Sequence, residues 1–369
     1  MQALKLLKRI DWYIAIPAAY LAAIGFVLQI SIANKATGIP VDINVATQVA
    51  GAIAALVVVG VVQTFGLLKK SYVPMLVFGI SILMLVLVPI VGVEANGSQR
   101  WIAIGGVQLQ PTEFAKLGLI LVLAALFNTR DTAVNRLTKI FQSLIYTVVP
   151  AALILLQPDL GSAVVLFVIW TAIVFVSRLR LGRMALIMIA LTGAVAVMVP
   201  FMAEYQQERL ISYFNPDQDT EGANYNVVQA GIAIGSGGLT GTGIDSGSQS
   251  QLNFLPSQHT DFIFAVTAEK LGLIGAMSVI IGFAMITMRM IYLSWLTTNQ
   301  FERGLLVGIV ALIFFHAFVN IGMNLGLVPV TGLPLPLLSH GGTFMFVAVL
   351  LLGIAATTGS TITRRAKSK

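Results

Sequence analysis

The chain has 369 residues, of which 57% are hydrophobic and only 10% are charged. A soluble globular domain carries about a quarter charged residues, and a globule of this length could not bury so much apolar surface, so a soluble protein is excluded. The basic residues behind the net charge of +7 are distributed among particular loops and do not form one patch that would bind nucleic acid. The absence of cysteine excludes disulfides, thiolate metal sites and cysteine nucleophiles.

Apolar segments of membrane-spanning length recur along the whole chain. A transmembrane helix needs about 20 mostly apolar residues. The candidate spans, in chain order, are residues 12–32, 44–66, 72–92, 112–128, 142–156, 160–178, 184–202, 262–288, 304–326 and 341–362. We therefore predict an all-α polytopic membrane protein with about ten transmembrane helices, forming a single membrane domain over residues 1–369.

The charges of the loops predict the orientation. With the N-terminus inside, 17 of the 22 basic residues lie in inner segments, and the outer loops hold only Lys35, Arg100 and Arg209. This bias follows the positive-inside rule, and an even number of helices then places both termini in the cytoplasm. The longest loop, residues 203–261 between the seventh and eighth helices, lies outside. Long structured loops often carry function, so we expect the chemistry at the outer face.

The outer loop before the fourth span carries two candidate substrate-binding residues. Arg100 is one of the few outer basic residues, and a guanidinium suits bidentate binding of phosphate. Trp101 suits stacking on a sugar, although an aromatic anchor at the membrane interface is the alternative. Thr112, which follows Pro111, is placed to cap the helix that starts there.

Two opposite charges open the fourth span. Glu113 and Lys116 are three residues apart, which places them on one helix face where they can pair. Charges at membrane depth are costly and are functional candidates by default. Two interpretations stay open: a structural ion pair that orients the helix, or the polar wall of an outward-facing, substrate-binding cavity.

Two other polar residues within the spans receive structural interpretations. Pro158 and Gly161 interrupt the apolar sequence between the fifth and sixth spans, and Asp159 between them is predicted to cap the sixth helix. His316 stands alone in the ninth span and is predicted to be a hydrogen-bonded core residue rather than a ligand.

The strongest constellation is His259-Thr260-Asp261, where the long outer loop enters the eighth span. A carboxylate there has water on one side and apolar packing on the other, a setting that suits a general base. It equally suits a carboxylate that binds a divalent cation. The alternative is that Thr260 or Asp261 caps the helix. Glu269 lies eight residues further on, about two turns deeper.

The glycine-rich stretch Gly231–Gly243 is a weak candidate for phosphate binding. It lacks the Gly-Lys-Ser/Thr ending of a P-loop. It also lies on the outer side, where ATP is absent, so no nucleotide cofactor is expected.

Several stretches together resemble one known family. They are Arg100-Trp101, Gln110-Pro111-Thr112-Glu113-Phe114-Ala115-Lys116, Gln157-Pro158-Asp159-Leu160-Gly161, the residues 229–238, His259-Thr260-Asp261-Phe262-Ile263-Phe264, and the residues from Asn320 to Thr343. In this order, and over nearly the whole chain, they resemble the SEDS family (shape, elongation, division and sporulation) of RodA, FtsW and SpoVE. The short tails and the long loop are most similar to the RodA branch.

The resemblance implies a peptidoglycan glycosyltransferase that polymerises lipid II during cell elongation. The family's essential aspartate falls on Asp261, which would activate the 4-hydroxyl of the acceptor sugar, either directly or through bound magnesium or manganese. That oxygen attacks the anomeric carbon of the donor with inversion, and undecaprenyl pyrophosphate leaves. The resemblance also implies that Arg100, Trp101, Glu113, Lys116, His259 and Thr260 bind substrate, and that Asp261 and Glu269 are the metal-ligand candidates.

The chain departs from the family pattern at several positions. Many members carry an acidic residue where this chain has Ser257, and a second acid where it has Lys270. His340 replaces the usual Tyr, Ser or Ala before the Gly341-Gly342 pair. The changes at Ser257 and Lys270 weaken the expectation of further metal-binding carboxylates, including Glu269, whereas His340 is expected to be a packing substitution that leaves the activity intact.

The resemblance further implies partners and a location. SEDS proteins work with a class B penicillin-binding protein, a transpeptidase with one transmembrane helix, within the elongation machinery, in the bacterial cytoplasmic (inner) membrane. The expected contact is an outward face of the eighth or ninth helix, where Gly272, Gly275 and Gly282 would permit close packing, unless they serve packing within the chain. A lipid II flippase and a scaffold without activity are the competing functions, and the scaffold predicts that Asp261 is dispensable.

Overall fold

The helices of the protein follow the predicted order of membrane spans. A computed structural model describes residues 10–33, 41–95, 98–105, 107–128, 133–177, 207, 213, 223–251 and 254–368. Within these ranges the α-helices are α1 (Trp12–Ala33), α2 (Val41–Thr64), α3 (Val73–Val91), α4 (Pro111–Leu126), α5 (Ala133–Leu155), α6 (Leu160–Val176), α7 (Ala223–Ser236), α8 (Ser248–Gln251), α9 (Ile263–Leu296), α10 (Gln300–Asn324) and α11 (Gly342–Lys367).

Nine of the ten predicted spans are helices, and the tenth, residues 184–202, lies outside the described residues. In the described part of the chain, seven helices are long and apolar enough to cross a membrane. Two further spans are shorter, because α4 has 16 residues and α6 has 17. The prediction of an all-α polytopic membrane protein is confirmed. The long outer loop predicted between the seventh and eighth spans contains the helices α7 and α8, and the predicted eighth span is α9.

The helices divide into a buried centre and an outer ring. α4 is buried along almost its whole length, and α10 and α11 are buried over most of theirs. α1, α2 and α3 instead expose large apolar side chains, among them Ile16, Ile53, Leu56, Leu76 and Leu83. An exposed apolar face on a spanning helix is a lipid-facing surface, so the polar residues of the central helices are shielded from the bilayer.

A small antiparallel sheet precedes α4, in a segment that was predicted only to be an outer loop. Its strands are β1 (Val93–Ala95), β2 (Ser98–Ile104) and β3 (Val107–Leu109), in the order β1-β2-β3. The register pairs Ile102 with Leu109 and Ile104 with Val107. The alternating Ile102 and Ile104, followed by Gly105-Gly106, form a hairpin pattern that could have predicted β2 and β3.

α9 is broken at Gly272, whose φ of 69° and ψ of −169° are not helical. The amide groups freed by the break donate to the glycine-rich segment that follows α7: Leu273 N to Gly238 O at 2.9 Å, and Ile274 N to Leu239 O at 3.2 Å. Backbone polar groups at membrane depth need such partners within the protein. The glycine-rich stretch therefore packs against the broken helix, and phosphate binding by it stays a weak prediction.

The second half of the loop between α10 and α11, from Leu333 to Ser339, runs through the interior, although loops ordinarily lie on the surface. Leu338 and Ser339 have no exposed surface. Gln29 of α1 donates from Nε2 to Leu338 O at 2.6 Å, and Gln48 of α2 donates from Nε2 to Ser339 O at 3.1 Å. Buried backbone groups require partners of this kind, so two helices supply side chains that allow a loop to reach the centre of the molecule.

The start of α1 and the end of α11 lie together, at the end of the bundle where α9 finishes. The guanidinium of Arg289 on α9 lies 2.6 Å from Asp11 Oδ2 and 3.3 Å from Thr363 Oγ1. Two residues after Thr363, the guanidinium of Arg365 pairs with the carboxylate of Glu302 at 2.8 Å. These contacts place both ends of the described chain on one side of the bundle, opposite the start of α9.

Candidate active site

Asp261 ends the turn that leads into α9, and its side chain is half-buried. The turn is tight, because the N–H groups of Thr260 and Asp261 both donate to Ser257 O at 3.1 Å. Ser257 has a φ of 52°, a left-handed conformation that costs a non-glycine residue of order 1–3 kcal/mol. Such a conformation persists only where the surroundings determine it, so the segment that carries Asp261 is held in a defined shape.

The α10–α11 loop pairs with the carbonyl groups of the residues before Asp261. His340 N donates to His259 O at 2.8 Å. Ser339 Oγ donates to Thr260 O at 2.6 Å and accepts a hydrogen bond from Leu335 N at 2.7 Å. The predicted site residues His259 and Thr260 are therefore fastened by their backbone to a buried loop about 80 residues away in sequence.

The carbonyl of Asp261 itself is held by two asparagines of α10. Asn320 and Asn324 each donate from Nδ2 to Asp261 O at 3.0 Å. Asn324 Oδ1 also accepts a hydrogen bond from Ala265 N at 3.0 Å, and so caps the first turn of α9 from a neighbouring helix. The helix begins after Phe262 without a side-chain cap from that residue. The alternative that Thr260 or Asp261 is the side-chain cap is therefore not what the structure shows.

The imidazole rings of His259 and His340 meet edge to face beside this segment, with their centroids 5.9 Å apart. Desolvation lowers the pKa of His259 from its ordinary value. Burial, together with the neighbouring His259, lowers the pKa of His340 to about 4. Both rings are therefore neutral at pH 7, and neither adds a positive charge next to Asp261.

Glu113, Lys116 and His316 form a buried chain of polar contacts between α4 and α10. Lys116 Nζ lies 2.7 Å from Glu113 Oε1, and the two side chains are 0% and 3% exposed. Lys116 Nζ also lies 3.4 Å from Nε2 of His316, whose Nδ1 lies 3.1 Å from Pro334 O. The predicted ion pair is confirmed, and so is the prediction that His316 is a hydrogen-bonded core residue.

One face of α10 connects these two sets of residues. His316, Asn320 and Asn324 follow one another at intervals of four residues, and residues spaced in this way share a helix face. The first contacts Lys116, and the other two hold Asp261. The structure thus brings the charged pair of the fourth span and the predicted catalytic aspartate to the same side of one helix.

The sheet holds the two other predicted substrate-binding residues. Arg100 on β2 donates from Nε to Gln157 O at 2.9 Å and from a terminal nitrogen to Pro158 O at 2.6 Å, so its guanidinium joins the sheet to the turn between α5 and α6. Trp101 lies opposite Val93 in the β1–β2 register and is half-buried. Substrate binding by either residue stays a prediction.

The two predicted helix caps have different outcomes. Asp159 Oδ1 accepts a hydrogen bond from Ser162 N at 3.1 Å, which confirms that it caps α6. The prediction for Thr112 is wrong, because α4 already begins at Pro111, with Gln110 before it. Thr112 lies inside the first turn, where its buried hydroxyl has no hydrogen-bond partner.

Glu269 and Lys270 point to different structural partners. Glu269 is fully buried and accepts hydrogen bonds from Gln249 N at 2.8 Å and from Ser250 N at 3.1 Å, so its carboxylate caps α8. Lys270 Nζ donates to Ser31 Oγ at 2.7 Å. Metal binding by Glu269 stays a prediction, with both oxygens already engaged by amides.

The described residues do not assemble an evident metal site. Among them, no group of three or more His, Cys, Asp or Glu side chains is placed to hold a metal ion. Binding of a divalent cation by Asp261 therefore stays a prediction, and no step of the reaction is derived through a cation.

Sequence reasoning missed the residues that hold the site together. Asn320 and Ser339 lie in the motif that carried the family resemblance, but their contacts with Asp261 and Thr260 join segments far apart in sequence. The sequence signal that could have identified them is that a polar side chain in an apolar membrane helix is costly. That signal was applied to Glu113 and Lys116, but not to Asn320 and Asn324.

These features define a polytopic helical membrane protein whose polar site lies where a buried loop meets the start of a broken helix. Residues 11–361 match the family described as "Cell cycle protein" and named for FtsW, RodA and SpoVE. The chain belongs to this family, which confirms the resemblance seen in its motifs.

The curated relatives include two kinds of peptidoglycan enzyme. The peptidoglycan glycosyltransferase MrdB of Escherichia coli (strain K12) is 37% identical over 276 residues, which cover 74% of this chain and 74% of that protein. The probable peptidoglycan glycosyltransferase FtsW of Haemophilus influenzae is 37% identical over 282 residues, covering 75% of this chain and 71% of that protein.

Solved structures agree with the fold over nearly the whole chain. A chain from a study of how a peptidoglycan synthase complex coordinates polymerization and crosslinking has a TM-score of 0.76 and 28% identity, covering 96% of this chain and 98% of that one. The rod shape determining protein RodA of Thermus thermophilus has a TM-score of 0.68 and 28% identity, covering 95% of this chain and 96% of that one.

Proposed function

We propose that this chain is a peptidoglycan glycosyltransferase that polymerises lipid II, with Asp261 as its catalytic carboxylate. The family and the named relatives support the reaction class. The single observation that carries the residue assignment is the fixed backbone of Asp261, which leaves its half-buried carboxylate at the outer start of α9.

In the proposed reaction, Asp261 acts as a general base. The 4-hydroxyl oxygen of the acceptor's N-acetylglucosamine attacks the anomeric carbon of the donor's N-acetylmuramic acid. The Asp261 carboxylate takes the hydroxyl proton, the new glycosidic bond forms with inversion, and the electron pair of the broken bond leaves with undecaprenyl pyrophosphate. One base is sufficient, because pyrophosphate is already a good leaving group and needs no protonation by the protein.

Two cations, Lys116 and Arg100, are candidates for stabilising the charge of the leaving pyrophosphate. Lys116 is fully buried against Glu113, so the two charges neutralise each other. Arg100 keeps its positive charge while it binds the carbonyls of Gln157 and Pro158. We therefore assign the predicted electrostatic role at the pyrophosphate to Arg100, and to Glu113 and Lys116 the shaping of the polar wall next to α10.

The same proposal places the protein in the bacterial cytoplasmic membrane with its active site outside and both termini in the cytoplasm. The distribution of basic residues supports this orientation. The contacts of Arg289 with Asp11 and Thr363, at the end of the bundle away from Asp261, agree with it. Lipid II would then reach the site from the outer leaflet.

We also propose a class B penicillin-binding protein as the partner, docked on the exposed side of α9. The structural relative from a peptidoglycan synthase complex supports such an assembly. The small residues suggested for this contact are used within the chain, because Gly282 packs on Leu21 of α1 and Gly272 packs on the glycine-rich segment. The available surface is instead the row of exposed large side chains that includes Ile274, Ile281 and Met288.

The test is polymerisation of lipid II by the purified full-length protein, with and without its cognate penicillin-binding protein. The variants are Asp261→Ala and Asp261→Asn, and the matched control is Asp245→Asn, a change at an exposed aspartate of the same outer loop. We expect polymer from the wild type and the control, and none from either Asp261 variant, with all four proteins folded.

Equal polymer from the wild type and Asp261→Ala would remove Asp261 from the mechanism. No polymer from the wild type under any condition, including added partner and divalent cations, would overturn the enzymatic proposal. In that case a lipid II flippase or a scaffold would have to be considered.

A further inference from the structure

We propose that Asn320 and Asn324 are positioning residues that aim the Asp261 carboxylate, by clamping the carbonyl group of Asp261 from one face of α10. This inference rests on the proposed function of Asp261. It assigns a role in the reaction to two side chains that need not touch the substrate.

The clamp is an unusual use of two buried amides. Both side chains are fully buried, and both donate to the same oxygen, Asp261 O, at 3.0 Å. Asparagine is a poor helix former, and an amide buried in an apolar setting is costly unless it is paired. Apolar side chains would satisfy a packing requirement at these positions without that cost, so packing alone does not account for the pair.

The side-chain oxygen of Asn320 is a buried acceptor that makes no hydrogen bond. The Nδ2 of Asn320 donates to Asp261 O and to Leu333 O at 2.8 Å, whereas its Oδ1 is buried without a hydrogen-bond partner. An unsatisfied buried acceptor lowers stability. Asparagine at this position therefore lowers stability, but it supplies the Nδ2 donor that holds Asp261 O.

The two amides fix the backbone on both sides of the Asp261 Cα. The preceding peptide group is held because Asp261 N donates to Ser257 O at 3.1 Å. The following peptide group is held because Asp261 O accepts from Asn320 and Asn324. With both peptide planes fixed, the direction of the Cα–Cβ bond is fixed as well, and the carboxylate retains only its side-chain rotations.

Such control of direction matters for proton transfer. A general base must come within about 2.6–3.2 Å of the group whose proton it takes. A displacement of about 1 Å at a reacting group can cost about 100-fold in rate. Asn324 also caps the first turn of α9 through Ala265, so that Asp261 cannot move independently of that helix.

The experiment compares Asn320→Ala, Asn324→Ala and the double variant with the wild type in lipid II polymerisation by the full-length protein. We expect kcat to fall about 10- to 100-fold in each single variant, while KM stays within about threefold, because substrate binding in the ground state does not depend on the direction of the base. Folding is followed through the intrinsic fluorescence of the tryptophans.

A matched control comes from the opposite end of the same helix. Asn299 caps α10 by accepting hydrogen bonds from Phe301 N and Glu302 N. Asn299→Ala therefore removes two hydrogen bonds from α10 and should lower the melting temperature without lowering kcat. If the Asn320 and Asn324 variants behave like Asn299→Ala, with reduced melting temperature and unchanged kcat, the positioning role is overturned.

A second variant covers the case in which an alanine variant does not fold. Asn320→Leu replaces the amide by an apolar side chain of similar size, and it removes the donor to Asp261 O together with the buried acceptor that has no hydrogen-bond partner. Leucine is a better helix former than asparagine, so this variant should fold. It should nevertheless lose kcat, and a wild-type kcat in folded Asn320→Leu would contradict the inference.

Asp261→Ala, measured alongside, separates failure of this inference from failure of the proposed function. If Asp261→Ala polymerises at the wild-type rate, the catalytic assignment fails, and the clamp fails with it. If Asp261→Ala is inactive while both asparagine variants keep a normal kcat, only the clamp is overturned.

Discussion

Lys116 Nζ on α4 lies 3.4 Å from Nε2 of His316 on α10, within a part of the molecule that has no exposure to solvent. The other ring nitrogen, Nδ1, faces the carbonyl oxygen of Pro334 at 3.1 Å. Because a carbonyl oxygen only accepts hydrogen bonds, Nδ1 carries the proton, and Nε2 is the acceptor for the lysine. The histidine thereby connects the ion pair on α4 to the buried α10–α11 loop.

The ion pair itself gives the first prediction. Lys116→Met leaves the Glu113 carboxylate buried without its partner, which should destabilise the protein by about 3–5 kcal/mol. The double variant Glu113→Leu/Lys116→Met removes both charges and should recover most of that stability. Thermal unfolding in detergent micelles, followed by tryptophan fluorescence, measures both effects.

Activity in the same double variant separates the two interpretations of Glu113 and Lys116. A pair that only orients α4 predicts that polymerisation returns when stability returns. A polar wall of the substrate site, which we favour, predicts a stable but inactive protein. Full activity in the stable double variant would contradict the functional role.

His316→Phe is the second prediction. Phenylalanine keeps the stacking on Phe344, whose ring centroid is 5.3 Å from that of His316, but it removes both hydrogen bonds. The carbonyl of Pro334 then loses its donor, and Lys116 loses an acceptor; each unpaired buried group costs about 1–3 kcal/mol. We expect a clearly lower melting temperature. Phe314→Leu, at a side chain exposed on the same helix, should leave it unchanged.

Arg100 gives the third prediction, which separates its structural contacts from substrate binding. Arg100→Lys keeps the charge but cannot reproduce the two-pronged hydrogen bonding to Gln157 O and Pro158 O. If these contacts are the whole role of Arg100, the variant has a lower melting temperature and a normal KM for lipid II. If the charge also acts on pyrophosphate, Arg100→Lys retains more activity than Arg100→Ala at equal stability.

The sequence predicted the membrane spans well, because hydrophobic length is a local property that each segment carries by itself. It also located Asp261, Glu113 and Lys116, since polar groups in apolar segments are conspicuous. The sheet was missed, although Ile102, Ile104 and the following glycines carry a hairpin pattern.

The break in α9 and the asparagine clamp could not be derived from sequence in the same way. The break at Gly272 lies inside a single predicted span, and its freed amides are paired by a segment more than 30 residues earlier. The clamp joins Asp261 to residues about 60 positions later. Both depend on tertiary contacts that no local pattern specifies, whereas the error at Thr112 came from placing a helix start two residues too late.

Glu269 gives the fourth prediction, which addresses the divalent cation that the family resemblance implies. Glu269→Gln loses the charge that strengthens two hydrogen bonds to the start of α8, and should cost about 1.5–3 kcal/mol. A purely capping role predicts that the Mg²⁺ or Mn²⁺ concentration for half-maximal activity is the same as in the wild type. A metal ligand predicts that this concentration rises. Removal of divalent cations with EDTA establishes first whether the activity depends on a cation.

His340 gives the fifth prediction, which concerns pH. Burial, and then the neighbouring His259, lower the pKa of His340 from the usual 6.5 to about 4. Between these values the unfolded chain binds a proton at this residue and the folded protein does not. The free energy of unfolding therefore contains a contribution from His340 that is complete above pH 6.5 and is lost as the pH falls toward 4.

His340→Gln removes this contribution while the backbone hydrogen bond from residue 340 to His259 O remains available. The melting temperature of the variant should therefore fall less steeply than that of the wild type when the pH is lowered from 6.5 to 4. Carboxylates that titrate in the same range affect both proteins, so the difference between the two curves isolates the histidine. Since the chain has no cysteine for thiol-reactive dyes, tryptophan fluorescence is the suitable probe. Parallel curves across this range would show that His340 does not influence stability through its protonation.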